Sequence, residues 1–99
     1  MADVNRSTAT FAISGEIDIE NALAVGEELS AWIDRTDSAE YVVDCSSITF
    51  VGSRGLAMMA RVQRRAQELG VLLVWSQPSE HVLHVIGLAG LDGYLELRV

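Results

Sequence analysis

Lysine is absent from this 99-residue chain: all seven basic residues are arginine, set against fourteen acidic ones, for a formal charge of −7. So little positive charge argues against nucleic acid or an anionic membrane as the main partner, because phosphate-bearing surfaces are held by concentrated cations. A protein partner is expected. Cysteine is almost absent as well. Cys45 alone admits no internal disulfide and no cysteine zinc cluster, and its place directly after Val42, Val43 and Asp44 fits a small buried side chain better than a reactive thiol. The single proline, Pro78, sits in a turn-like Ser-Gln-Pro-Ser segment, and there is no linker, repeat or low-complexity tract. No apolar run approaches the roughly 18 to 20 residues that cross a bilayer. The first ten residues do not join a basic region to an apolar block as a secretory leader does. Together these absences lead us to expect a cytoplasmic protein with no membrane attachment and one domain over residues 1–99.

Hydrophobic residues make up 49% of the chain, enough for a core, and their spacing outlines the elements. Residues 8–14 alternate: Ala9, Phe11 and Ile13 against Thr8, Thr10, Ala12 and Ser14, the pattern of a half-buried strand ended by Gly15. Over residues 19–35, Ala22, Val25, Leu29, Trp32 and Ile33 recur at three and four, which predicts an amphipathic helix with Asp18 as its cap. Residues 41–43 and 71–75 are short, valine-rich apolar runs expected at the centre of a sheet. Between them a short loop leads to a helix over residues 53–69, with Met59, Val62, Ala66 and Leu69 inward and Gly70 stopping it. A third helix over residues 79–88 has Ser79 as cap and Val82, Val85 and Ile86 inward, and residues 94–99 alternate as a closing strand with Leu95, Leu97 and Val99 on one side. The order β-α-β-α-β-α-β predicts an α/β domain whose consecutive parallel strands are joined by right-handed crossovers.

Three segments carry further information: Ile13 to Asp18 (ISGEID), Val42 to Met59 (VVDCSSITFVGSRGLAMM) and a late GLDGYLEL. In this combination the chain resembles a STAS domain of the anti-anti-sigma factor type from about residue 8 to residue 99. Gly15, Glu16, Ile17 and Asp18 match the family's turn after a strand, Asp44 its aspartate closing the next strand, and Ser53, Gly55 and Leu56 most of its D-S-[ST]-G-L segment. Two positions depart, Gly52 where the family has aspartate and Arg54 after the serine. The resemblance implies a STAS-like mixed sheet of about four strands flanked by helices. It also implies an anti-sigma factor antagonist that binds an anti-sigma factor, often itself a serine protein kinase, and is switched off when a helix-capping serine, here Ser53, is phosphorylated. Glu16, Asp18, Gly52, Arg54 and Gly55 fall on the partner face that it implies. Relative to the family pattern the chain is short at both ends, and a homodimer is one way of covering what a missing terminal helix would expose.

Each site residue also has a plain structural reading. Ser53 can be an ordinary helix cap, Asp18 and Glu16 the exit of a strand, and Arg54, Arg61 and Arg65, at i, i+7 and i+11, a solvated stripe beside an Arg64–Glu68 pair. The stripe borders Ser53, which makes Arg61 and Arg65 candidate partner contacts. His81 and His84 lack a third ligand nearby, so no metal is expected, and Trp32 and Trp75 read as core. The serine segment superficially resembles the G-x-S-x-G elbow of hydrolases, but Val51 stands where the first glycine is needed and the chain has no room for an oxyanion loop and pocket. No enzyme activity and no cofactor are expected. The alternative reading is a STAS subunit that docks in a transporter complex and never carries phosphate on Ser53.

Overall fold

A computed structural model describes residues 7–99; of the amino-terminal segment read above for a leader, residues 1–6 lie outside the described residues. Seven elements follow one another: β1 (Thr8–Ile17), α1 (Ala22–Arg35), β2 (Glu40–Val51), α2 (Ser53–Leu69), β3 (Leu72–Ser76), α3 (Glu80–Leu88) and β4 (Leu97–Arg98). The strands lie in the order β1-β2-β3-β4, and all three pairings are parallel, so the sheet expected to be mixed is parallel throughout the described residues. The α/β class and the four strands flanked by helices are as expected.

Buried residues of all three helices fall in one cluster with Ile13, Tyr41, Val43, Leu73 and Trp75, so the helices share a single face of the sheet. Trp32 sits in that cluster between Phe11, with ring centroids 5.3 Å apart, and Tyr41, edge-on at 5.4 Å. The two helices α1 and α2 approach closely at Gly26, where an added methyl group would come within 2.8 Å of Met58 Cγ. Trp75 is fully buried and its indole N–H donates to Gln63 Oε1 at 2.9 Å, while the Glu96 amide donates to the same oxygen at 3.2 Å. One side chain of α2 thereby satisfies a core tryptophan and the approach to β4.

The sheet register places Thr8, Thr10, Glu40, Val42, Asp44, Leu72, Val74 and Ser76 on the other face. There Arg98 of β4 reaches over β3 to Glu40 of β2, which also accepts from the Thr8 hydroxyl. Arg98 holds the Glu40 carboxyl below its ordinary value.

Several boundaries differ from expectation. The strand beginning at Thr8 does not end at Gly15 but continues to Ile17, with Gly15 at φ +81° inside it. β2 is not a short strand followed by a loop; it runs for 12 residues, and the pairing register slips by one residue twice, between Ala12 and Ser14 and between Gly15 and Glu16. At each slip β2 holds one residue more than β1, which is a β-bulge. Its inward positions therefore change spacing from two (Tyr41, Val43, Cys45) to three (Ile48, Val51). α1 begins at Ala22 with Asn21 as its N-cap residue, so Asp18 does not cap it, and Ile19, expected within the helix, lies in the preceding turn, 67% exposed. Leu69 is exposed at the end of α2, where the burial stripe has turned away from the core. α2 itself spans the expected residues and ends on Gly70 at φ +72°, whose amide bonds back to the carbonyls of Ala66 and Gln67. Ser79 caps α3 as expected, its hydroxyl accepting from the Val82 amide at 3.2 Å. The closing strand is shorter than expected, with Leu95 buried ahead of it and Val99 83% exposed.

Gln63→Leu should leave the Trp75 indole N–H and the Glu96 amide without their acceptor, costing about 1–3 kcal/mol and lowering Tm by on the order of 10 °C in calorimetry. Because the folded pKa of Glu40 is depressed, its contribution is present above the unfolded value near 4.5 and fades as pH falls through the lower folded value. Glu40→Gln should accordingly flatten the fall of Tm between about pH 5 and pH 3 relative to the unsubstituted chain.

Candidate functional site

Parallel strands bring their carboxyl ends to one edge, and that edge is where open α/β sheets present binding residues. Here the edge holds the end of β1 with Glu16 and Ile17, the end of β2 with Phe50 and Val51, and the start of α2 at Ser53. The Gly52 amide donates to the Ile17 carbonyl at 2.9 Å, which fixes the entry into α2 against β1. Gly55, one turn into that helix, packs on the same strand: a methyl group added there would meet the Ile17 carbonyl oxygen at 2.5 Å and Val51 Cγ1 at 2.9 Å. Glycine is needed at Gly55 for space, not for an unusual backbone angle.

Ser53 is the first residue of α2, and the N-cap is Gly52, so the serine is not the cap that was expected. Its exposed side chain forms no hydrogen bond with the described residues, and no other side chain caps this terminus. Arg54 follows it, also exposed, and lines a shallow cavity of ≈ 240 Å³ together with Ile19, Ala22, Leu23 and Arg61. Ile19 and Leu23 are each 67% exposed, an unusual degree for aliphatic side chains standing side by side. Among the described residues Arg54 and Arg61 form no ion pair, whereas Arg65 binds Asp34 of α1 through both carboxylate oxygens at 3.1 Å. Arg65 thus ties α2 to α1 and leaves the arginine stripe with two free members. The Arg64–Glu68 pair forms as expected, at 3.3 Å, and both partners are largely exposed.

The turn from β1 to α1 is organised by Asn21, a residue the sequence reading passed over. Its side-chain oxygen accepts from the Asp18 amide at 2.9 Å and its amide donates to the Glu16 carbonyl at 2.7 Å. Its own backbone N–H and that of Ala22 bond to the Asp18 carbonyl. An asparagine shortly before an apolar helical pattern is the available signal, since such residues close turns through their own side chains. Glu16 is exposed on the rim, and Asp18 lies half-buried with its carboxylate against Gly52.

Asp44 lies away from this edge, on the far face of the sheet; the Ser46 amide bonded to its carboxylate at 3.0 Å holds its pKa below the ordinary value. Cys45 is fully buried, and burial, reinforced by the neighbouring Asp44 charge, pushes its thiol up to about 12, which removes it as a nucleophile. His81 is exposed and stacks on Phe50 with centroids 6.4 Å apart, and no cluster of three metal-ligating side chains occurs among the described residues.

The family model described as Mlab, STAS domain matches residues 1–98. The chain belongs to the STAS family. Its fold is shared with solved STAS proteins at low identity. The anti-sigma factor antagonist SpoIIAA in its unphosphorylated form superposes with a TM-score of 0.73 at 18% identity, covering 99% of this chain and 85% of that one. Phosphorylated SpoIIAA from Bacillus gives 0.67 at 17%, covering 99% and 88%, and a serine-to-glutamate variant of Moorella thermoacetica RsbS gives 0.77 at 20%, covering 100% and 83%. This STAS chain places Glu16, Asp18, Gly52, Ser53 and Arg54 at one edge, with Arg61 further along α2; Arg61 and Arg65 line one cavity with Leu23, and Arg65 is also engaged by Asp34.

Gly55→Ala should push the first turn of α2 off β1. A loss of about 1–3 kcal/mol in urea unfolding is expected, larger than that of Gly87→Ala, where an added methyl group meets nothing within 4 Å.

Proposed function

We propose that this STAS protein is a non-enzymatic binding module of the cytoplasm, an anti-sigma factor antagonist that docks a serine-kinase anti-sigma factor and is released when Ser53 is phosphorylated. The observation that carries the reading is the exposed Ser53 hydroxyl, unbonded among the described residues, beside an apolar patch and two arginines, Arg54 and Arg61, that form no ion pair among those residues. Ile19 and Leu23 supply apolar contact, Arg54 and Arg61 supply charge, and Glu16, Asp18 and Gly52 complete the face, while Gly55, expected on that face, is buried on Ile17 and Val51 and supports it from beneath. Arg65 contributes to it by holding α2 on α1.

The switch needs no unfolding. Phosphorylation adds about −1.5 to −2 charge, and the free N–H groups and dipole at the start of α2 accommodate an anion there. The same charge placed in a close protein contact costs several kcal/mol through repulsion and desolvation, roughly a thousandfold in affinity. That SpoIIAA has been solved both with and without phosphate, and that this chain superposes on both forms, supports a switch that leaves the architecture in place. The protein would need no cofactor of its own, while the modifying kinase would use ATP and magnesium.

A second reading, a docking subunit of a transporter complex, is favoured by Gly52 and Arg54, which depart from the family's aspartate-serine segment. In that reading the Gly-Ser-Arg-Gly segment is contact surface and carries no phosphate.

Titration calorimetry with candidate anti-sigma factor kinases separates the two readings. Ser53→Asp and the phosphorylated chain should each bind at least a hundredfold more weakly than the unmodified chain, and Arg61→Glu should weaken binding while leaving Tm unchanged. Equal affinity of all three serine forms would favour the second reading and end the first.

A further inference from the structure

Gly52 has an ordinary extended backbone, φ −89° and ψ −175°, which any residue adopts, so its own conformation does not call for glycine. What calls for it is Asp18. A methyl group built on Gly52 would overlap all three atoms of the Asp18 carboxylate, both oxygens and the carbon between them. Nor is Asp18 there by accident of a loose turn. Its amide is bonded to the Asn21 side chain, and its carbonyl accepts from the amides of Asn21 and Ala22. The bulk that a side chain at position 52 would occupy is filled from the neighbouring strand end.

We infer that Asp18 is the carboxylate that flanks Ser53 in this protein, admitted by the glycine at position 52, and that it is the charge against which any phosphoryl group on Ser53 is positioned. A local carboxylate is thus not lost with the substitution of glycine into the serine segment; it is supplied across the junction by Asp18. This has a consequence for regulation of the site, and in that use it rests on the reading of Ser53 as a phosphoacceptor. A phosphoryl group there meets a like charge in Asp18 and an opposite one in Arg54, the next residue. Repulsion from Asp18 acts on the turn that carries Ile19, whose side chain lines the apolar cavity with Leu23 and Arg54. Modification of one hydroxyl is therefore felt on the apolar contact surface as well as at the serine.

The test uses full-length chain with phosphoserine installed at position 53 during translation, so no kinase is required, and follows the phosphorus resonance as a function of pH. The second ionisation of a phosphoserine lies near 6, and a neighbouring carboxylate raises it. Asp18→Asn, which keeps shape and removes charge, should lower the midpoint by roughly half a pH unit or more. Asp92→Asn, on the turn after α3, changes net charge equally and should move it much less. In a Gly52→Ala background the methyl group displaces the carboxylate, and the Asp18→Asn shift should collapse towards that of the control. An Asp18→Asn shift no larger than that of Asp92→Asn, or one undiminished by Gly52→Ala, would overturn the inference. If the midpoints move as stated while the phosphorylated chain still binds its partner tightly, the assignment of Asp18 stands and the switch alone fails.

Discussion

The junction between the end of β1 and the start of α2 is the constraint on which the site depends. One backbone hydrogen bond, from the Gly52 amide to the Ile17 carbonyl, sets the direction in which α2 leaves the sheet. Gly55 then lets the helix lie on the Ile17 carbonyl and Val51 at a distance that no other residue permits. With the helix pinned there, its first residue, Ser53, lies exposed, and Asp18 has a defined place beside Gly52. Exposure of the hydroxyl is thus a product of rigid packing one residue before it and two residues after it.

That junction sits on an unusually economical frame. Parallel sheets are generally covered on both faces, whereas here the helices of the described residues share one face and the other is polar around Val42 and Val74. The Arg98–Glu40 pair crosses this face over β3 and connects to Thr8, so charge and hydroxyl groups stand where a second helical layer is found in larger folds. An exposed ion pair of this kind contributes little energy by itself. Stability comes instead from the buried cluster and from polar links inside it such as that between Gln63 and Trp75.

How much of this was legible in the sequence varies by element for physical reasons. α2 could be read at both ends, because its apolar face keeps the helical period and Gly70 is a left-handed stop. β2 could not, because two bulges stretch the spacing of its inward residues and strand periodicity assumes a spacing of two. Gly15, read as a terminator, lies beside one of those bulges within β1. Ile19 misplaced the start of α1, since an exposed isoleucine in a turn looks like one more helical apolar position. At the site, Ser53, Arg54 and Arg61 were visible because motif and spacing are local properties. The contact between Asp18 and Gly52, and the engagement of Arg65 by Asp34, join residues more than thirty positions apart, and no local pattern announces either.

In the proposed switch, Ser53 stands on a support that stays fixed while the surface charge changes. Native-state hydrogen exchange at the Gly52 amide probes that support directly, without need of a partner. Protection close to that of the central strands is expected, both in the unmodified chain and with phosphoserine at position 53. Exchange at the rate of an open loop in the unmodified chain would contradict the account, because α2 would then have no fixed point from which to present Ser53.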